Sequence, residues 1–175
     1  GKIGKEVIKL AKAFGMNILA YDTFPDENFA KEYGITYTSL EELLKNSDVI
    51  TIHVNLNPST YHLINKENIK IIKPGAYLIN TARGGIVETE ALLYALKEGI
   101  LKGVALDVLE EETEIKEELE LLVKEQLKEE KIKTLWQNHI LMKMSNVLIT
   151  PHNAFNSKEA IERILMTTIE NIKIF

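Results

Sequence analysis

"PGAYLINTARGGIVETEALLYALKEGILKGVALDV", residues 74–108, decides the fold. "PGAYLIN" reads as a turn followed by a buried strand that ends at Asn80. Thr89 to about Glu98 reads as a helix, stopped by Gly99. "KGVALDV" is a second apolar strand. Strand, helix and strand in this order indicate an α/β fold with a parallel sheet. Both strands are continuous apolar runs rather than alternating ones. That predicts a sheet covered on both faces.

The pattern extends in both directions. Ile3, Val7, Leu10 and Phe14 recur at helical spacing, and Gly15 ends that helix. "MNILAYD" reads as a short strand ending in Asp22. A short helix to Tyr33 is broken by Gly34, and "ITYT" is strand-like. Ser39 caps "LEELLKN", with Glu42 completing a capping box. "SDVITIHV" is another apolar strand, "NLNPSTYH" is turn chemistry, and "NKENIKII" supplies one or two helical turns. Residues 113–145 form a charged, largely helical insertion. In it Ile115, Leu119, Leu122 and Val123, then Leu135, Trp136 and Ile140, make an apolar stripe expected to pack on the domain or on a partner, with a lid over the active site as the alternative. "SNVLIT" is a last strand, and Ser157 caps a final helix. The whole reads as one domain, residues 1–175, of doubly wound parallel type.

Composition bounds the partners. The 175 residues are 45% hydrophobic and 27% charged, enough for a sizeable core. A net charge of −5, concentrated in "EEETEIKEELE" (110–120), disfavours nucleic acid and anionic membranes. With no cysteine, disulfides and thiolate metal sites are excluded, which fits a reducing cytoplasm. No histidine pair has metal spacing. No apolar run approaches the ~18 residues of a membrane span.

The chemistry gathers at strand ends. "GKIG", residues 1–4, opens a helix, and Asp22 ends the next strand eighteen residues after Gly4. This resembles the last two glycines and the acid of the dinucleotide fingerprint. A helix N-terminus offers free N–H groups to a pyrophosphate. Gly1 would let the backbone approach the phosphates, and Gly4 would allow close helix–strand packing. An acid at position 22 favours NAD, because it would repel a 2′-phosphate. The first glycine and the strand before it are absent. That strand is central in such folds, so the sheet is expected to have a gap in its middle. Three more residues stand at strand ends on the same edge: Arg83, Glu112 and His152. Taken singly, each has a plain structural reading as an ion pair, a solvated acid or a surface residue. Their joint order is what points to a site.

The motifs "GKIG", "YD" (21–22), "HVNLNPSTYHLIN", "LINTARGGIVETEAL", "GVALDVLEEE" and "TPHNAF" run in order through nearly the whole chain. They resemble the D-isomer-specific 2-hydroxyacid dehydrogenases. The spacing from Arg83 to Asp107 and on to Glu112, with Phe155, resembles the D-lactate dehydrogenase branch. The resemblance implies an NAD-dependent oxidoreductase, homodimeric through this domain and cytoplasmic, acting on a small 2-keto or 2-hydroxy acid. D-lactate and pyruvate are the expected pair, with glyoxylate, hydroxypyruvate or phosphoglycerate-type substrates as alternatives. A non-catalytic NAD-sensing module is the rival of another class.

Residue by residue, the resemblance implies that Arg83 forks onto the substrate carboxylate, as a planar guanidinium does best. His152 would be the acid–base group, held by Glu112. Gly1, Lys2, Ile3, Gly4 and Asp22 would hold the cofactor's phosphates and ribose. Val54, Asn55 and Thr60 would lie along it. Thr81 and Ala82 would line the nicotinamide beside Arg83, Asp107 would meet its carboxamide, and Gly84 would leave room for the keto acid. His53, His62 and His139 read as structural or surface residues. Asn55 stands where the family commonly has proline, which predicts a more mobile loop there. The family's substrate domain is not in this chain.

Overall fold

The structure, a computed structural model, describes residues 1–112 and 129–174. The chain runs α1 (Lys2–Ala13), β1 (Leu19–Ala20), α2 (Glu27–Tyr33), β2 (Thr36–Tyr37), α3 (Leu40–Asn46) and β3 (Val49–Ile52). A 3-10 turn at Asn68–Ile71 leads to β4 (Ala76–Asn80), and a second at Gly84–Ile86 leads to α4 (Thr89–Lys97). Then come β5 (Leu101–Leu106), α5 (Glu129–Lys143), β6 (Val147–Ile149) and α6 (Lys158–Ile174). Every strand pairing is parallel.

Local chemistry sets the boundaries. Asp26 and Ser39 cap α2 and α3 by accepting from the Phe29 and Glu42 amides. Ser157 does the same for α6 through Ala160. Gly34 and Gly99 end their helices in the left-handed region, at φ 60° and 71°.

Among the described residues the strands form two separate sheets, β1–β2 and β3–β4–β5–β6. The main core lies on one face of the larger sheet. Ile50, Leu78 and Val104 share a register row there, as do Ile52, Asn80 and Leu106. Leu44, Ile69, Ile86, Leu92 and Leu141 cover them from the helices and turns.

The opposite face departs from expectation. Val49 and Tyr77, in one row, are 45% and 41% exposed, and Leu148 is 64% exposed. Among the described residues this face is therefore open, although its strands read as continuously apolar. A continuous run says that both faces can be covered, but not by which segment. α1 differs too. Ile3, Leu10 and Phe14 are exposed, and it is Ile8 that packs against the small cluster of Phe29, Ala30 and Ile35.

Of the expected insertion, residues 129–143 are helical, as α5. The stripe of Ile115, Leu119, Leu122 and Val123 lies outside the described residues. Further on, α5 buries Leu135, Asn138 and Leu141, whereas Trp136 and Ile140 face outward. The buried spacing of three residues selects the Leu135 face and excludes its neighbour Trp136.

Candidate active site

The site is built at the carboxyl ends of β4, β5 and β6. β4 ends in Asn80, which is buried. Its side chain accepts from the Ala82 amide at 3.0 Å and donates to the Arg83 carbonyl at 2.9 Å. Asn80 thereby shapes the turn from which Arg83 projects. The Arg83 guanidinium is exposed, and Nη1 donates to the Ala82 carbonyl. A Cβ on Gly84 would lie 2.0 Å from the Leu109 carbonyl oxygen and 2.3 Å from the Glu110 nitrogen. Gly84 is thus needed for backbone-to-backbone contact with the next strand's loop, a requirement beyond the room for substrate expected of it.

β5 ends beside Asp107, which is buried. Its Oδ1 accepts from the Thr150 hydroxyl and, at 2.8 Å, from the Asn153 amide; its Oδ2 accepts from the Ala154 amide at 2.9 Å. Burial pushes this carboxyl up. The Thr150 hydroxyl and the two amides, with His152 nearby, outweigh that and hold it below the usual carboxylate range. Asp107 therefore clamps the loop that follows β6. Within that loop His152 has φ 51°, a left-handed conformation uncommon for a residue with a side chain.

The clamp delivers the imidazole to Glu112. His152 Nδ1 lies 3.1 Å and 3.2 Å from the two Glu112 oxygens. A carboxylate accepts, so Nδ1 is the donor and Nε2 is left for a reacting oxygen. Phe155 stands edge-on to the ring, with centroids 6.2 Å apart. Arg83, Gly84, Glu112 and His152 line one cavity of about 540 Å³, with Leu56 and Tyr61 also on its lining. The sequence-derived triplet is brought together.

The residues expected to hold the cofactor divide into two groups. Gly1 begins α1 with no side-chain cap, and nothing lies within 4 Å of where its Cβ would stand. The Gly1 nitrogen is 3.2 Å from Asp22 Oδ2, so the glycine end and the acid are adjacent. Asp22 accepts from the Phe24 amide, the main reason why its carboxyl sits below the usual range. An uncapped helix start beside an acid fits a dinucleotide's phosphates and ribose. Lys2 and Ile3 are exposed in the first turn. A Cβ added to Gly4 would meet His53 at an ordinary 3.7 Å. Val54 is half-buried, and Asn55 and Thr81 are exposed. The Thr60 hydroxyl donates to the Asn55 carbonyl at 2.6 Å and accepts from the Asn57 amide, which closes the loop on itself.

A sequence model described as "D-isomer specific 2-hydroxyacid dehydrogenase, NAD binding domain" matches residues 1–154. The chain belongs to this family, as its NAD-binding domain. It is 38% identical to the glyoxylate reductase of Korarchaeum cryptofilum over 175 residues, which is all of this chain and 46% of that protein. It is 37% identical to the D-3-phosphoglycerate dehydrogenase of Methanocaldococcus jannaschii over 174 residues, 99% of this chain and 29% of that one. Among solved structures, the D-lactate dehydrogenase of Aquifex aeolicus complexed with NAD and lactic acid aligns with a TM-score of 0.86 at 41% identity, covering 99% of this chain and 50% of that one. The chain thus spans about half the length, or less, of these relatives.

Several residues that hold the loops around this cavity carry no sequence signal of their own. Asn80, Thr150 and Asn138 read as ordinary strand-end and helix residues. Glu110 reads as part of a solvated acidic run, yet it is buried and bonded to His62 and Thr89. The only available signal was position, since Asn80 and Thr150 stand where strands stop.

Proposed function

We propose that this chain is the cofactor-binding half of an NAD-dependent D-2-hydroxyacid dehydrogenase that interconverts pyruvate and D-lactate. The observation that carries this reading is the Glu112–His152 pair, at 3.1 Å, on the same cavity as Arg83. Bound NADH supplies a hydride to the keto carbon. Arg83 holds the substrate carboxylate with two parallel N–H donors, which sets the face presented for reduction. His152 gives the Nε2 proton to the C2 oxygen, and takes it back in oxidation. Glu112 orients the ring and balances its charge in the protonated form. Three donors already reach Asp107, and a carboxylate has about four acceptor sites. One remains for the carboxamide of the cofactor.

The second reading is glyoxylate reduction, favoured by the similarity to glyoxylate reductases. Measuring kcat/KM for pyruvate, glyoxylate and hydroxypyruvate on the full-length enzyme separates the two. The expected result is the highest value for pyruvate with NADH, and D-lactate as product. A maximum for glyoxylate selects the second reading, and turnover of no keto acid overturns both in favour of an NAD-sensing module. The reading also carries a cytoplasmic homodimer, which sedimentation at twice the subunit mass checks.

A further inference from the structure

The loop that carries Glu112 is held from beneath by groups that play no part in the reaction above. Glu110 is the anchor. It is 8% exposed, and both of its carboxylate oxygens have partners. Its Oε2 accepts from the Thr89 amide at 3.0 Å and the Thr89 hydroxyl at 2.7 Å, at the start of α4. Its Oε1 is 2.6 Å from His62 Nε2. Its backbone carbonyl accepts from Asn138 Nδ2 of α5 at 2.8 Å. Between this anchor and Glu112 stands Glu111, with φ 54°. A residue held in the left-handed region costs free energy and persists only where its surroundings over-determine it. Whatever fixes Glu110 therefore fixes the direction in which Glu112 leaves the backbone.

Asn138 is the informative member. It is 1% exposed in an otherwise apolar face with Leu135 and Leu141. Its Oδ1 makes no hydrogen bond among the described residues. A buried amide with one unmet acceptor is a poor way to fill a core, since the unmet group costs desolvation. What it supplies is one donor, aimed at the Glu110 carbonyl.

We propose that Asn138 and Glu110 are positioning residues for the acid–base pair, and that α5 sets the Glu112–His152 geometry through the Asn138–Glu110 hydrogen bond. The inference rests on the dehydrogenase reading of Glu112 and His152.

The test is a double-variant cycle on the full-length enzyme, reading keto-acid reduction and NADH affinity. Asn138→Leu keeps the branched shape, with added bulk, and removes the donor. Its kcat should fall about tenfold, less than the 10²–10⁴ attached to the acid–base group itself. NADH Kd should stay within about twofold, because the anchor acts on the acid–base pair and not on the cofactor. When Asn138→Leu is added to Glu112→Gln, the further loss should be under about twofold, since the two act through one group. A simply structural Asn138 would instead multiply the losses, which overturns the inference, as does an unchanged kcat in Asn138→Leu. A Glu112→Gln enzyme with wild-type kcat overturns the assignment of Glu112 first, and this inference with it. Should Asn138→Leu not fold, Asn138→Ala enters the same cycle, because it too removes the donor to the Glu110 carbonyl. The same outcomes then decide.

Discussion

The two ends of the ligand edge are built differently. Around His152 the chain is tied at four residues: Asp107 holds Thr150, Asn153 and Ala154, and Glu112 meets the His152 ring. Around Gly1 and Asp22 there is a two-stranded sheet, an exposed first turn and open space beside the glycine. Proton transfer tolerates little displacement of donor from acceptor, so its groups need fixed backbone and several bonds each. Phosphate binding relies on backbone N–H groups at a helix end, which stay available only if nothing in the protein caps them. One end is tied by several side-chain bonds, and the other presents a helix start with no side-chain cap.

The comparison breaks most sharply at His152. His152→Ala should lower kcat about 10²–10⁴-fold while NADH Kd stays within about twofold. Fluorescence titration with NADH beside steady-state rates checks this. An equal loss of NADH affinity would mean that the two ends are not separable.

Gly84→Ala tests whether the tied end depends on backbone contact. With Leu109 oxygen 2.0 Å from the new Cβ, the turn and the loop must move apart. The expected cost is about 1–3 kcal/mol of stability, the usual range for overpacking. A thermal midpoint equal to wild type, with only KM for the keto acid raised, would leave only the substrate-room explanation.

At the open end, Asp22→Ala should narrow the preference for NADH over NADPH by roughly tenfold, about the worth of one hydrogen bond to a charged group. Comparing kcat/KM for the two cofactors measures it. A wild-type ratio in the variant would remove Asp22 from cofactor choice.

The smallest effect is on acid stability. The Asp107 carboxyl is held below the usual range when folded, against about 3.9 unfolded. A depressed carboxyl contributes stability that is present above the unfolded value and lost as pH falls through the folded one. The gap in Tm between wild type and Asp107→Asn should therefore close as pH drops from about 6 to about 3. A gap that holds constant would show that the clamp works without its charge.

The order of elements, their caps and the triplet Arg83, Glu112 and His152 were legible in the sequence, because periodicity, Gly and Ser caps and strand ends are local signals. A costly residue such as Arg83 also stands out where an apolar strand stops. Other features were decided only when the elements packed. Glu110 and Glu112 are two residues apart in one acidic run, yet one is a buried anchor and the other reaches the imidazole. Leu135 and Trp136 are neighbours, and one is in the core while the other faces outward. Gly84 reads only as space for a ligand until Leu109 is seen against it. In each case the residue type states what a side chain can do. Which neighbour it meets depends on contacts across tens of residues, and no local pattern carries that information.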